Sequence, residues 1–589
     1  MKKISYGLGL ICIALCAITL YDARALFAPY LIAALFSIYC MNSVRSLDID
    51  RKAGKYRLLV FVSVVAALFI TFANHALWLH PDLPDFKTPA FVRLCKLYLI
   101  FVLMSGTFTC VMSVLSYIVY CKDSLTIKIV EGRKHAWLFF VIPFVIISCI
   151  YLVIWYCCYY PGLVSLDTLD QIGQIFSGKY SNHQPFYHTL ILGVFLNSGL
   201  NMFGNINMAV SFYVIFQVVF MAATFAFTVY NMAKLRLPAW ICVVATMYYA
   251  LMPFHIMYSF TVWKDVFFGA FVTLFIIFFV RIMNGIGISF LNYVGFSLCG
   301  PVICLIRSNG LFAYVFIFLS LILLARKNIK LILIMLATII AAFIMKHNVL
   351  SMYNVTQPDT VESLSIPLQQ IARVFYDGGD VAPDDMEMLS QIIDVSAIAD
   401  NYDGNISDPI KEMIRDYGNE DFLSDNMKEY ALVYLHMLAR NPVTFVVAWV
   451  DSTCGYWNSG YNYWVWYWDV EPNTFGIART VHSNGMLHFM DEYLWLFYNN
   501  RVLQVFTAIG FLVWILLALF AKNINDGNRC GIIATVPLLA ILLSLFISSP
   551  VFSEFRYVYA LYCSIPVIIA VSCTHSDNKG DLDNKEGNN

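Results

Sequence analysis

Charge is what this sequence has least of. Only 13% of its 589 residues are Asp, Glu, Lys or Arg, against roughly 25% in soluble domains. That deficit, with many apolar runs of about 18 or more residues, excludes a soluble fold. The charge present is balanced, 37 Lys and Arg against 38 Asp and Glu, so no basic excess supports a nucleic-acid partner. Cysteine pairing is also missing. Most of the 16 cysteines, such as Cys12, Cys16, Cys110 and Cys149, lie inside apolar runs, and no CxxC spacing occurs; a disulfide framework is excluded. Internal repeats and mid-run charges, which a transporter or flippase would need near the bilayer midplane, are scarce. Aromatics are abundant instead, 47 Phe, 36 Tyr and 12 Trp, which suits interfacial belts and flat faces for sugar rings.

The apolar runs predict an all-α polytopic membrane protein with about fourteen spans. They fall near 4–21, 25–42, 58–79, 95–120, 137–158, 207–230, 237–254, 265–282, 288–305, 308–325, 329–346, 502–521, 531–549 and 557–573. Lys2 and Lys3, with Ala23, Arg24 and Ala25 downstream, mimic a signal peptide, but a second apolar run follows at once, so the first is read as an uncleaved helix. The cation clusters at Arg45–Arg57, Lys122–Lys134, Lys234 and Arg236, Arg326–Lys330, and Lys522 and Arg529 all fall inside by the positive-inside rule if 187–203 is interfacial or re-entrant. Both termini are then cytoplasmic. The expected units are 1–136, a four-helix membrane unit; 137–346, a core with an external loop at 159–206; 347–500, a large external and mostly helical insert; 501–573, C-terminal spans; and 574–589, a disordered polar tail.

Within the insert, 377–426 is acidic (Asp377, Asp380, Asp384, Asp385, Asp394) and reads as solvated surface without EF-hand spacing. Residues 442–498 are aromatic and read as an anchor lying on the membrane, with a sugar or lipid platform as the functional alternative.

The first long polar interruption is Tyr160–Pro185. Ser165 is placed as a helix N-cap, Asp167 falls in the first turn and Gly178 just past the last. On that helix Asp167 and Asp170 are i,i+3, and Asp167 and Gln171 are i,i+4, so the three are expected on one face. His183 closes the loop. Four further polar groups stand at the same rim: Lys264 with Asp265, Arg307 with Asn309, Gln370 with Arg373, and Glu554 with Arg556 opening the last span. A single charge in a membrane segment costs about 2.5–3.5 kcal/mol, and one rim cation alone is an interfacial anchor. Several arginines at one depth suit a phosphate or pyrophosphate; carboxylates suit a base or a metal.

The stretches YPGLVSLDTLDQ, HQPFYHT, TVWKD, IRSNG, SIPLQQIAR and EFRY, in this order over about 150–565, resemble the integral-membrane glycosyltransferases of the C type (GT-C), and more closely a bacterial membrane family of the DUF6020 type. The resemblance implies a GT-C-like fold and transfer of a sugar from a polyprenyl-phosphate carrier to a glycan, lipid or protein acceptor of the cell envelope. It implies a catalytic carboxylate in the first long external loop, Asp167 or Asp170, with His183 orienting the acceptor or the base. Gln171, Lys264, Asp265, Arg307, Asn309, Gln370, Arg373 and Arg556 would bind substrate. Metal-dependent and metal-independent members both occur in that superfamily, and Asp167, Asp170 and Asp265 leave a divalent metal open. Protein mannosyltransferases carry adjacent acids, whereas these stand three apart, so which carboxylate is the base stays open. A flippase, or a polymerase or ligase of lipid-linked glycans, is the competing class.

Overall fold

The computed structural model describes residues 7, 9–17, 27–45, 53–75, 90–120, 135–326, 328–458, 464–500 and 502–573. Outside them lie the cations Lys2, Lys3, Arg51, Lys52, Lys122–Lys134 and Lys327, the acids Asp82 and Asp85, the signal-like Ala23–Ala25, residues 459–463 of the aromatic run, and the tail from Thr574.

The described chain is helical, with isolated β-bridges and no sheet among the described residues. In an apolar medium every N–H and C=O must be paired within its own segment, and the helix does this. Among the described residues nine helices are long and apolar enough to cross a membrane, or up to eleven if each of two bent pairs is one span. The chain is therefore a multi-pass integral membrane protein by helix length and hydropathy.

About fourteen spans are expected over the whole chain, and that range is what the described residues show. The runs near 25–42 and 58–79 hold the helices Phe27–Arg45 and Ala53–Ala73, of 19 and 21 residues, and the run near 308–325 holds the shorter apolar helix Gly310–Ala325. The run near 237–254 is a pair, Ala239–Leu251 and Pro253–Ser259, bent by 56°, because Pro253 has no N–H to continue the ladder. The second bent pair, Met427–Arg440 with Pro442–Tyr456 at 107°, belongs to the insert and breaks at Pro442 for the same reason. Of the first expected run, 4–21, only residues 7 and 9–17 are described.

The segment read as interfacial is the helix Phe186–Phe203, which is not among the candidate spans. It ends at Gly204, and the Asn205 side chain then accepts from the N–H groups of Asn207 and Met208 to start Ile206–Lys234. One hydrophobic core joins the helices from Ile147 to Val571. The N-terminal unit docks on it through Leu59, Val111, Leu115 and Val119, which pack with Ala518 and Ala521 of Ile509–Asp526.

The insert has its own core, with Val361, Ile371, Leu389, Ile410, Leu423 and Phe445 buried together. Outside the membrane-spanning bundle each such side chain contributes about 1.5–3 kcal/mol on burial, which folds the acidic stretch around an apolar centre. Most of its acids stay outside, but Asp385 is buried against His436 Nδ1 at 3.1 Å. The solvated-surface expectation is corrected there.

Candidate active site

The loop that carries Asp167 is stitched to the loop that carries Lys264. Leu163 N–H donates to Phe260 O at 2.9 Å, and Val262 N–H donates to Leu163 O at 3.0 Å. Thr168 Oγ1 donates to Val262 O at 2.5 Å, and Trp263 Nε1 donates to Ser165 Oγ at 2.8 Å. Ser165 is thus the N-cap residue of Leu166–Ser177 in position, but its hydroxyl meets Trp263 Nε1 and Thr168 Oγ1 rather than a backbone N–H of the helix. Gly178 ends the helix at φ 69°, a left-handed conformation that glycine adopts without strain.

Those seams set the first turns of two helices, Leu166–Ser177 and Lys264–Met283, side by side, with Asp167 and Asp265 in them. Helix N-termini favour anions. Cations arrive from two other elements. Arg307 follows Ser289–Ile306, and Arg556 stands at the start of the last span. The turn after Arg307 is tight: a Cβ on Gly310 would lie 1.9 Å from Ile303 O, so only glycine fits there.

The charges then pair. Arg556 Nη1 donates to Asp167 Oδ2 at 2.7 Å, and Lys264 Nζ lies 3.6 Å from the same oxygen. Arg556 Nε lies 3.4 Å from Glu554 Oε1, and the guanidinium rests over the rings of Trp263 and Tyr557. Arg307 Nη1 lies 3.3 Å from Asp265 Oδ1 and donates to Tyr557 O at 2.8 Å. Lys264 also donates to Gln184 Oε1. Three acids and three cations thus share one end of the bundle.

The acids differ in exposure. The Asp167 side chain is 31% exposed, while Asp265 and Glu554 are 1% and 3% exposed. Burial pushes the Asp167 carboxyl up, but Lys264 and Arg556 outweigh it and hold it down at about 2. Burial pushes the Glu554 carboxyl up to about 7 against the pull of Arg556. Both Asp265 oxygens and Glu554 Oε1 are buried without a hydrogen bond among the described residues. Asp265 Oδ1 and Glu554 Oε1 keep only their ion pairs with Arg307 and Arg556, and a buried polar atom left without a hydrogen bond, as Asp265 Oδ2 is, calls for a reason.

Not every expected residue joins the cluster. Asp170 is exposed and accepts from Gln174 Nε2 at 2.8 Å. Gln171 is buried between helices, where it donates to Thr189 and receives His188 Nδ1 at 3.1 Å. The single face expected for Asp167, Asp170 and Gln171 is therefore corrected. Asp170 and Gln171 are adjacent, about 100° apart around a helix, and the packing seam falls between them. His183 is exposed, and its charge bears on Asp167, Asp359 and Glu362. Asn309 reaches Ser548 Oγ at 3.4 Å. Gln370 and Arg373 serve the insert instead. Gln370 bonds Phe445 O and Tyr434, and Arg373 pairs with Asp377 and Asp451. The aromatic run does not lie free as an anchor: Trp464 and Tyr467 pack on the Trp263 ring, each at 5.8 Å, and Val465 O accepts from Tyr258. Sequence reasoning gave no role to Gln184, His188 or Glu554; Glu554 had a signal, being an acid beside the singled-out Arg556.

Among the described residues no three His, Cys, Asp or Glu side chains come together as a metal needs. Asp167, Asp265 and Glu554 are each faced by Arg or Lys. A divalent cation would have to displace those partners, so the residues present do not fit one.

No curated protein and no solved structure matches this chain. One family model does, described as a family of unknown function (DUF6020), over residues 176–586. That range holds His183, Lys264, Asp265, Arg307 and Arg556 and opens after Asp167, Asp170 and Gln171. With most of its length inside that match, and with seven of the nine spanning helices of the described residues and the cation cluster inside it too, this chain belongs to the DUF6020 family.

Proposed function

We propose that this protein is a membrane glycosyltransferase that moves a sugar from a polyprenyl-phosphate donor to a cell-envelope acceptor at the outer face of the cytoplasmic membrane. The observation that carries the reading is the shared oxygen: Asp167 Oδ2 lies 2.7 Å from Arg556 and 3.6 Å from Lys264. A proton acceptor and two phosphate-type donors thus meet within one side chain's reach, at a helix terminus rather than mid-span.

In the reaction the acceptor O–H gives its proton to Asp167 as its oxygen bonds the anomeric carbon. The bond from that carbon to the phosphate oxygen breaks, and the electron pair leaves on the phosphate. A phosphate leaving group needs no strong acid. Arg556 and Lys264, with Arg307 behind them, stabilise the charge that develops on it. One carboxylate opposite the leaving group suits inversion at the anomeric centre. A GT-C relationship is part of this proposal and rests on the order of motifs, not on geometry.

The test is transfer of labelled sugar from polyprenyl phosphate by the purified protein in detergent, across an acceptor panel of glycan, lipid and peptide. Turnover that depends on Asp167 supports the reading. Donor binding with no transfer to any acceptor, alongside vectorial movement of the lipid-linked sugar in vesicles, would replace it with a flippase.

A further inference from the structure

Asp167 is masked in the arrangement described above. The oxygen that would take the acceptor proton, Oδ2, is the one on which both Arg556 and Lys264 converge. A carboxylate held by two cations binds a proton poorly, so in this state Asp167 is a weak base.

Neither cation depends on Asp167 alone. Arg556 is also held by Glu554 and by the rings of Trp263 and Tyr557, and Lys264 also donates to Gln184. Both can therefore stay in place when Asp167 lets go. Asp167 is also the open member of the cluster, with Asp265 and Glu554 closed to solvent. A phosphate arriving at that opening meets the two cations where Asp167 meets them, and it carries more charge than one carboxylate. Arginine's fork favours it further, since a phosphate takes two parallel N–H bonds.

We propose that Arg556 and Lys264 keep Asp167 latent, and that a phosphate-bearing headgroup which takes over these two cations releases Asp167 Oδ2 to accept a proton. The inference rests on the transferase reading for the reaction that the base serves, not for the exchange of partners. It makes the site ordered: the donor's phosphate binds first and the acceptor is deprotonated second. Without a donor the site holds no active base. The other charged or titratable groups around Asp167 are His183, Glu554, Tyr467 and Tyr557, with Asp170 on its own helix; none of them pairs with Oδ2.

The experiment reads the proton on Asp167 directly. Carbodiimides add to protonated carboxyls, and mass spectrometry of the whole purified protein counts the adduct at Asp167, with exposed Asp170 as the reference in every arm. The arms are inorganic pyrophosphate in solution, phosphatidylcholine vesicles doped with polyprenyl phosphate, and undoped vesicles. Labelling of Asp167 should rise over the undoped arm, by roughly tenfold for each unit of proton affinity regained. A rise in both phosphate arms means that free phosphate suffices; a rise with the lipid alone means that the headgroup must come from the bilayer. No rise in either arm overturns the proposal. Arg556→Gln and Lys264→Gln should show raised labelling with no phosphate added, and unchanged labelling in both overturns it as well. Responsive labelling without sugar transfer would sink the reaction and leave the exchange standing. Transfer with unresponsive labelling would sink the exchange alone.

Discussion

Arg556 Nη1 lies 2.7 Å from Asp167 Oδ2 across 389 residues of chain. The contact joins the start of the last span to the first turn of the loop helix, and Lys264 completes it from a third element. A surface pair of this kind would contribute about 0–1 kcal/mol. Here Arg556 also holds the buried Glu554, so loss of Arg556 takes a cation from two acids at once, whereas loss of Asp167 leaves Arg556 with Glu554.

Asp167→Asn keeps the size of the side chain and loses the proton acceptor. Sugar transfer should fall by roughly 100-fold or more, with donor binding retained. Asp170→Asn should be mild, because Asp170 is exposed and bonded to Gln174. Steady-state turnover of the two variants side by side decides it; a dead Asp170→Asn with an active Asp167→Asn would move the base.

Arg556→Lys keeps the charge and loses the fork that reaches Asp167 and Glu554 together. Arg307→Lys loses the link between Asp265 and Tyr557 O. Donor affinity, read by equilibrium binding of polyprenyl phosphate, should weaken in both, and more for Arg556→Lys. Full affinity and full turnover in both variants would leave these arginines as interfacial anchors.

Glu554 should make stability fall as pH rises. Its folded carboxyl titrates at about 7, above its ordinary value of 4.5, so between those values the folded protein holds a proton that the unfolded chain has lost. The linkage slope is then negative: the contribution is full below 4.5 and is lost by the time pH passes 7. Glu554→Gln, which mimics the protonated form, should flatten the drop in thermal midpoint between pH 5 and pH 8. Asp167 acts with the opposite sign in a lower window. Held at about 2 against an ordinary 3.8, it contributes above 3.8, and that contribution is lost as pH falls through 2. An unchanged slope in Glu554→Gln would mean that the carboxyl is already ionised at pH 5.

The loop and the insert should share a side of the membrane. Asn182 N–H donates to Thr356 O at 2.7 Å, and Thr356 N–H donates to Tyr180 O at 3.0 Å. Cysteines introduced at Ser181 and Asp400, in a cysteine-free background, should both react with an impermeant reagent applied from outside. Reaction at one position alone would break this topology.

Local features of the sequence were legible, and so was the meeting of several rim residues at one end of the bundle. Ser165 and Gly178 mark the ends of the loop helix as expected, and all nine clear spans fall on apolar runs. Basic loops set the expectation that Lys264, Asp265, Arg307 and Arg556 share one end, and they meet there. Which way a side chain turns was not legible. Gln171 points to His188 rather than to Asp167 because Phe186–Phe203 packs on that flank. Arg373 looked like a rim cation, but Asp451, from a helix 78 residues on, claims it. Glu554 gains its role only from being enclosed with Asp265 and Arg556, which no local pattern records.

Residue 176, where the family match opens, falls inside the helix Leu166–Ser177. The boundary of the match is therefore not a boundary of the folded unit. A protein expressed from 176 onward would lack Asp167, leaving Arg556 with Glu554 and Lys264 with Gln184. It would also lack Leu163 and Val164, whose carbonyls receive Val262 and Glu471, so the WKD turn and the aromatic segment would both lose a seam. Expression trials on this chain and its relatives should start no later than Leu138, where the helix that delivers the loop begins.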